Sequence, residues 1–267
     1  MVNAITILHE KLDSINSHLE VLKRINGVLK LHQIKDEDIK YIQSQQTKEK
    51  IFNYRANIIS LYGAFELFIE EAFKEYIDNL KVIVPQYTSL NTKIKESYFS
   101  NVAKLHNKLN YAKFSRITEC QIAQNIERVI VQNKNEIIAE CYLGNGGNYK
   151  HDAICTLLSS IGISNVNCNI IQISPLLGLL SELTHDKEQQ RKMVQMRIDE
   201  LVDRRNEVAH GVTTDNIIDV EGFEDILNFT KKYCESLNGL LENELLACKW
   251  KQSPSNCYSP DRVYEKI

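Results

Sequence analysis

The chain has 267 residues and a mass of 30.8 kDa, enough for one large domain or two modest ones with a substantial core. Hydrophobic residues at 43% and charged residues at 25%, with a mean hydropathy of -0.31, exclude a disordered chain and a membrane protein and leave the soluble globular class. Ten Gly and four Pro are too few for a turn-rich β-sandwich or barrel and favour long helices. The formal charge of -3 makes any nucleic-acid contact local instead of a bulk-charge effect.

No apolar run approaches the ~20 residues that span a bilayer. The opening MVNAITILHEKLDS lacks the basic start, apolar centre and small-residue cleavage site of a secretory leader. A cytoplasmic protein with no membrane partner is expected. The seven Cys are odd in number and far apart, with no CxxC pair and no Cys/His cluster at zinc spacing, so they read as buried, reduced thiols. His185 beside Asp186, and the isolated His9, His18, His32, His106 and His151, form no ligand pattern either. Neither a metal nor another cofactor is expected.

In chain order, residues 4–32 carry Ile5, Leu8, Leu12, Ile15, Leu19, Leu22, Ile25 and Leu29 at steps of three or four, a helix with one apolar stripe. The stripe must be covered, so an amino-terminal amphipathic arm (1–48) packs on the body or on a second copy. A short helix is predicted near 35–46. A core helix follows over 51–80, with a broad face from Tyr54 through Ile58, Leu61, Phe65, Phe68, Phe73 and Tyr76 to Leu80. Gly63 and Ala64 remove bulk in mid-helix, which suggests close approach by a neighbour. Glu66 beside them is either a solvated face residue or a supporting polar group.

Pro85 marks a break, and helices are predicted near 92–110 and 118–141. Gly144, Gly146 and Gly147 with Asn145 and Asn148 then mark a mobile loop. It lacks the GxxxxGKS/T of a phosphate-binding loop, so nucleotide binding there is not expected. Short helices follow at 151–161 and after Ser174-Pro175. Asp186 and Gln189 have capping-box spacing for a helix that ends at Gly211, a residue suited to a left-handed cap. A last amphipathic helix spans roughly 221–246, with Phe223, Leu227, Leu237 and Leu241 on its packing side. The main domain is 49–247, and 248–267 is a tail.

The chemistry concentrates in the 187–211 helix. Val194, Ile198, Leu201, Arg205, Val208 and Val212 form one stripe, so Arg205 occupies a position that periodicity reserves for an apolar side chain. Its guanidinium must find acceptors or water. Arg204 reads as the ordinary solvent-facing neighbour. At 100° per residue, His210 lies about 140° around the helix from Arg205, but only about 40° from Asn206 and about 20° from Asp203, so Asp203, Asn206 and His210 form a polar ridge beside Arg205. Two readings are open. One is a structural arginine paired with an inward carboxylate, with His210 favouring the negative helix end. The other is phosphodiester chemistry, in which Arg205 stabilises charge on phosphate oxygens and His210 transfers a proton near neutral pH.

The run Arg205-Asn206-Glu207-Val208-Ala209-His210-Gly211 resembles the Rx4-6H signature of the HEPN superfamily in its RNxxxH form. The wider LVDRRNEVAHG, its polar link and the terminal helix resemble the HEPN proteins of bacterial toxin and antiphage defence systems. The upstream NYRANIISLYGAFELFIEEA is similar to the first core helix of that group. The resemblance covers about residues 50–246. It implies an all-α HEPN-type bundle that dimerises through its motif helices and builds a composite site from both copies. Catalytic members are metal-independent endoribonucleases that use the ribose 2'-hydroxyl as nucleophile and leave a 2',3'-cyclic phosphate. Carried onto this chain, Arg205 contacts and polarises the scissile phosphate, His210 serves proton transfer or phosphate contact, and Asn206 orients the site or His210. Glu207 and Asp203 fit helix-surface roles better, though Asp203 is on the right side of the helix to hold His210. Other relatives bind RNA, regulate or scaffold without cutting. The resemblance therefore implies an RNA substrate, and an antitoxin or other defence-system partner protein.

Overall fold

A computed structural model of the chain describes residues 1–31, 37–143, 148–211 and 217–252. Within them the chain is all-α. The successive helices are α1 (Asn3–Leu31), α2 (Glu37–Ile83), α3 (Thr92–His106), α4 (Glu119–Ile130), α5 (His151–Ser160), α6 (Val166–Ile170), α7 (Leu176–Leu183), α8 (Lys187–Ala209) and α9 (Val220–Gln252). The β pairing found among the described residues is a single bridge between Gln86 and Lys134.

The long helices follow from the apolar patterning. Every position named on the 51–80 face is buried, from Tyr54 to Leu80, and α2 is packed by α1, α8 and α9 together. Sequence periodicity predicts a separate short helix near 35–46, but α2 is continuous from Glu37. The intervening QSQQTKEK is polar without containing a helix breaker. Its Lys48, Glu49 and Lys50 are exposed, so polarity there marks a solvated stretch and not a loop.

The amino-terminal stripe is covered by the body of the same chain. Ala4, Leu8, Leu12, Ile15 and Leu19 are buried, with α1 lying against α2 and α9. Its register on α9 is antiparallel, fixed by the terminal ammonium on Glu242, His9 on Glu235 and Lys23 on Glu224. The stripe weakens towards the end of α1, where Ile25 is exposed.

Gly63 does not admit a neighbour. It is exposed, and a Cβ built there meets nothing within 4 Å. Ala64, by contrast, is buried. The helix expected over 118–141 is shorter, because α4 stops at Ile130 and Asn133 takes a left-handed conformation. The chain then turns back so that the buried Asn135 amide donates to the Leu80 and Val84 carbonyls. The Leu80 carbonyl already accepts from Val84 N–H, so the amide adds a second bond there and supplies a donor to the Val84 carbonyl just past the end of α2, which explains why a polar residue is buried there. The glycine loop falls on residues 144–147, outside the described residues, as does the tail beyond Gln252.

The predicted capping box of α8 is built differently. Asp186 accepts from Glu188 N–H, but its own N–H goes to the Thr184 hydroxyl, which also donates to Gln189. Thr184 thus intercepts the partner that the spacing assigned to the cap. A complete box occurs instead at Thr118 and Gln121 of α4. The thiols are also less uniform than expected: Cys141 and Cys234 are buried, Cys155, Cys168 and Cys248 partly so, and Cys120 is exposed.

Candidate functional site

Helix α8 carries Val194, Ile198 and Leu201 into the core and so fixes the direction of Arg205, two turns beyond Ile198. The Arg205 side chain is 27% exposed. Its guanidinium lies over the Tyr62 ring at 4.3 Å, donates to Asn206 Oδ1 at 2.9 Å and faces the Glu66 carboxylate at 3.8 Å. Tyr62 and Glu66 are one turn apart on α2 and point at the same neighbour. Glu66, 25% exposed, is thus an ion-pair partner of Arg205. Stacking on a buried ring holds the guanidinium plane while leaving an edge towards solvent.

The same face of α2 continues to Glu70, which binds Lys113 and accepts from the Tyr149 hydroxyl at 3.1 Å. Tyr149 N–H donates to the Tyr62 hydroxyl at 3.3 Å. Burial, together with the nearby Glu70 and Glu66 carboxylates, pushes the Tyr149 phenol well above its usual range. Burial likewise raises Tyr62, so both rings act as neutral hydrogen-bonding groups. Sequence reading missed Tyr62, Glu70, Lys113 and Tyr149. The only signal within the chain was the four-residue step Tyr62, Glu66, Glu70, a polar row on a helix otherwise read for its greasy face.

His210 sits at the C-cap of α8, its N–H bonded to the Asn206 carbonyl at 2.9 Å. The side chain is exposed and makes no hydrogen bond or ion pair among the described residues. Gly211 follows at φ 69, the left-handed cap that ends the helix. Asp203 does not hold His210. It pairs with Lys150 at 2.7 Å, and seven residues of helix separate it from His210 by about 10 Å along the axis. Angular proximity alone had suggested the contact. Glu207 is exposed on the outer side.

Arg204 is the clearest departure from the periodic reading. Its side chain is only 18% exposed, less than that of Arg205, and binds Glu200 at 2.7 Å and the Tyr54 hydroxyl at 3.1 Å. A long stem lies along the helix surface and brings the charge to an inter-helix acceptor. Arg204 also lines a shallow depression of about 580 Å³ on α8, together with Met196, Asp199, Asp203 and Glu207 among others. Met196 is 62% exposed there.

A different polar cluster lies inside the body. His151 is buried, with Nδ1 at 3.1 Å from the Tyr233 hydroxyl and Nε2 bonded to Asn167. Its N–H donates to Asp199 at 2.9 Å. Cys155 lies 3.6 Å from Nε2, but burial pushes its thiol up to about 12. The trio is therefore a protonated thiol, a neutral imidazole lowered by burial and an amide, not an activated nucleophile. Among the described residues, no group of three or more His, Cys, Asp and Glu is gathered as a metal site requires.

An all-α bundle in which Arg205, near the end of α8, faces Glu66 of α2, with an exposed His210 at the helix cap, fits the HEPN class that the motif resembles. In agreement, the chain matches the RiboL-PSP-HEPN family over residues 15–243. It belongs to that family. The matched span begins inside α1, so much of the amino-terminal helix lies within the family's extent, whereas the motif resemblance began near residue 50. Comparison with curated proteins and with solved structures finds no match. No described helix is long and apolar enough to cross a membrane.

Proposed function

We propose that this protein is a metal-independent endoribonuclease, acting as a homodimeric toxin or antiphage defence effector. The observation that carries the reading is the joint placement of Arg205 and His210. One is oriented by Tyr62, Asn206 and Glu66, and the other is exposed one turn past Asn206 at the free end of the same helix. Arg205 binds a phosphate oxygen and stabilises its developing charge. His210 moves a proton between the 2'-hydroxyl, the phosphate and the leaving 5'-oxygen. One chain supplies one such pair. A twofold partner docked on the outer α8 face supplies a second and completes a cleft. Asn206 positions Arg205, and Asp203 and Glu207 belong to the surface that a second copy or an antitoxin covers.

The Arg205–Glu66 pair supports a second reading, in which the ion pair is structural and the protein binds RNA or scaffolds a defence complex without cutting. The two are separated by incubating RNA with the protein in excess EDTA. Cleavage that leaves a 2',3'-cyclic phosphate and a 5'-hydroxyl, lost by at least ~100-fold in Arg205→Ala and in His210→Ala, is the expected result. RNA that stays intact with wild type, or full cutting by His210→Ala, overturns the nuclease reading.

A further inference from the structure

Charge is not spread evenly over this acidic chain. Residues 91–134 hold eight Lys and Arg against three Glu, so this segment is strongly basic while the remainder is more acidic than the total suggests. Of the three acids, Glu119 lies 3.6 Å from His106, Glu127 accepts from the neutral Gln132 amide and keeps its charge, and Glu96 is exposed on α3, so the excess of cations over acids in the segment stands. Arg116 and Arg128 are exposed and have no ion-pair or hydrogen-bond partner among the described residues.

These two arginines line one open depression of about 380 Å³ together with Gln121, Gln124, Asn125 and Glu140. Gln121 and Asn125 are fixed in place. The first is held by the Thr118 cap, the second between the Tyr98 hydroxyl and the Glu136 carbonyl. Glu140 is the one carboxylate in the lining against two arginines, so the lining keeps a net positive charge. The depression is rigidly built, cationic and rich in amide donors, which suits a chain of phosphates with exposed bases.

The depression is also linked to the candidate site. Lys113 binds Glu70, one helical turn beyond the Glu66 that faces Arg205. Arg116 follows Lys113 by three residues, at most about 11 Å of chain. Exposed Tyr111 flanks the same turn and offers a ring for base stacking. We infer that Arg205, Lys113, Arg116 and Arg128 mark one track along which single-stranded RNA runs from the α8 site to the α4 depression. Bulk charge repels RNA from most of the surface, so the track confines binding to one path.

The inference rests on the RNA reading above, and its test is kept apart from cleavage by using full-length His210→Ala protein. Binding of a fluorescent single-stranded RNA is measured by anisotropy across salt concentrations. Adding Arg116→Glu with Arg128→Glu is expected to weaken binding by roughly tenfold or more. Lys11→Glu with Lys48→Glu, exposed lysines on α1 and on the solvated part of α2, makes the same charge change and should cost under about twofold. Arg116→Ala with Arg128→Ala should reduce the salt slope by about 1.4, two phosphates at ~0.7 each. Equal losses in the two charge-reversed proteins, or an unchanged slope, overturn the track. So does an arginine-dependent preference for polyglutamate over RNA, which assigns the depression to an acidic protein. Track-dependent binding of RNA that wild type never cuts upholds the track and removes only the nuclease reading.

Discussion

Replacing Arg204 by Ala tests whether the buried side of α8 is set by polar contacts as well as by its apolar stripe. The side chain makes an i,i+4 pair with Glu200 and donates to the Tyr54 hydroxyl 150 residues away. The helical pair contributes ~0.3–0.5 kcal/mol. The inter-helix bond has a charged donor and is mostly shielded, so it contributes at the lower end of the usual range, ~1.5 kcal/mol. Loss of both is expected to destabilise the protein by about 2 kcal/mol, or ~4–8 °C in Tm for a chain of this size. Tyr54→Phe keeps the buried ring and removes only the acceptor. Urea unfolding of wild type, each single variant and the double variant, followed by circular dichroism, gives the coupling directly. A coupling of ~1 kcal/mol or more is expected; a value within ~0.3 kcal/mol of zero would show that the Tyr54 contact contributes nothing. Arg204→Ala should still cut RNA at close to the wild-type rate per folded molecule, since the guanidinium is engaged by Glu200 and the Tyr54 hydroxyl.

Burial lowers the His151 imidazole below its ordinary 6.5, so the folded state favours the neutral ring. That contribution is complete above pH ~6.5 and is lost as pH falls through the folded value. Unfolding free energy should therefore drop more steeply from pH 7.5 to 5 in wild type than in His151→Gln; identical slopes would refute this. Gly63→Ala fills open space on an exposed helical face and should stabilise by ~0.5–1 kcal/mol, read as a higher urea midpoint at unchanged slope. A loss of stability there would mean that a second copy approaches this point.

Much of the fold is legible in the sequence because helical burial repeats every three or four residues. The faces of α2 and α9 are read almost residue by residue, as is the α1 stripe as far as Leu19. The Gly211 cap is legible too, since glycine takes a positive φ without strain. Periodicity also finds the anomaly that marks the site, a cation at position 205 of an apolar row. It fails where the signal is polarity itself. A solvated helical stretch at 48–50 and a true loop carry the same residue types, so polarity does not show that α2 runs unbroken from Glu37.

The sequence by itself determined the long helices, which of their faces are buried, and that Arg205, Asn206 and His210 share one helix end. Those follow from local backbone geometry and the cost of exposing apolar surface. Only the tertiary structure decided who faces them. Glu66 and Tyr62 meet Arg205, Tyr54 takes Arg204, Lys150 takes Asp203 in place of His210, and Lys113 reaches Glu70. Each is a contact between side chains far apart in the chain, set by the angle at which α8 and its neighbours cross α2. Nothing in the spacing along one helix encodes that angle; it emerges when all the apolar faces are satisfied at once.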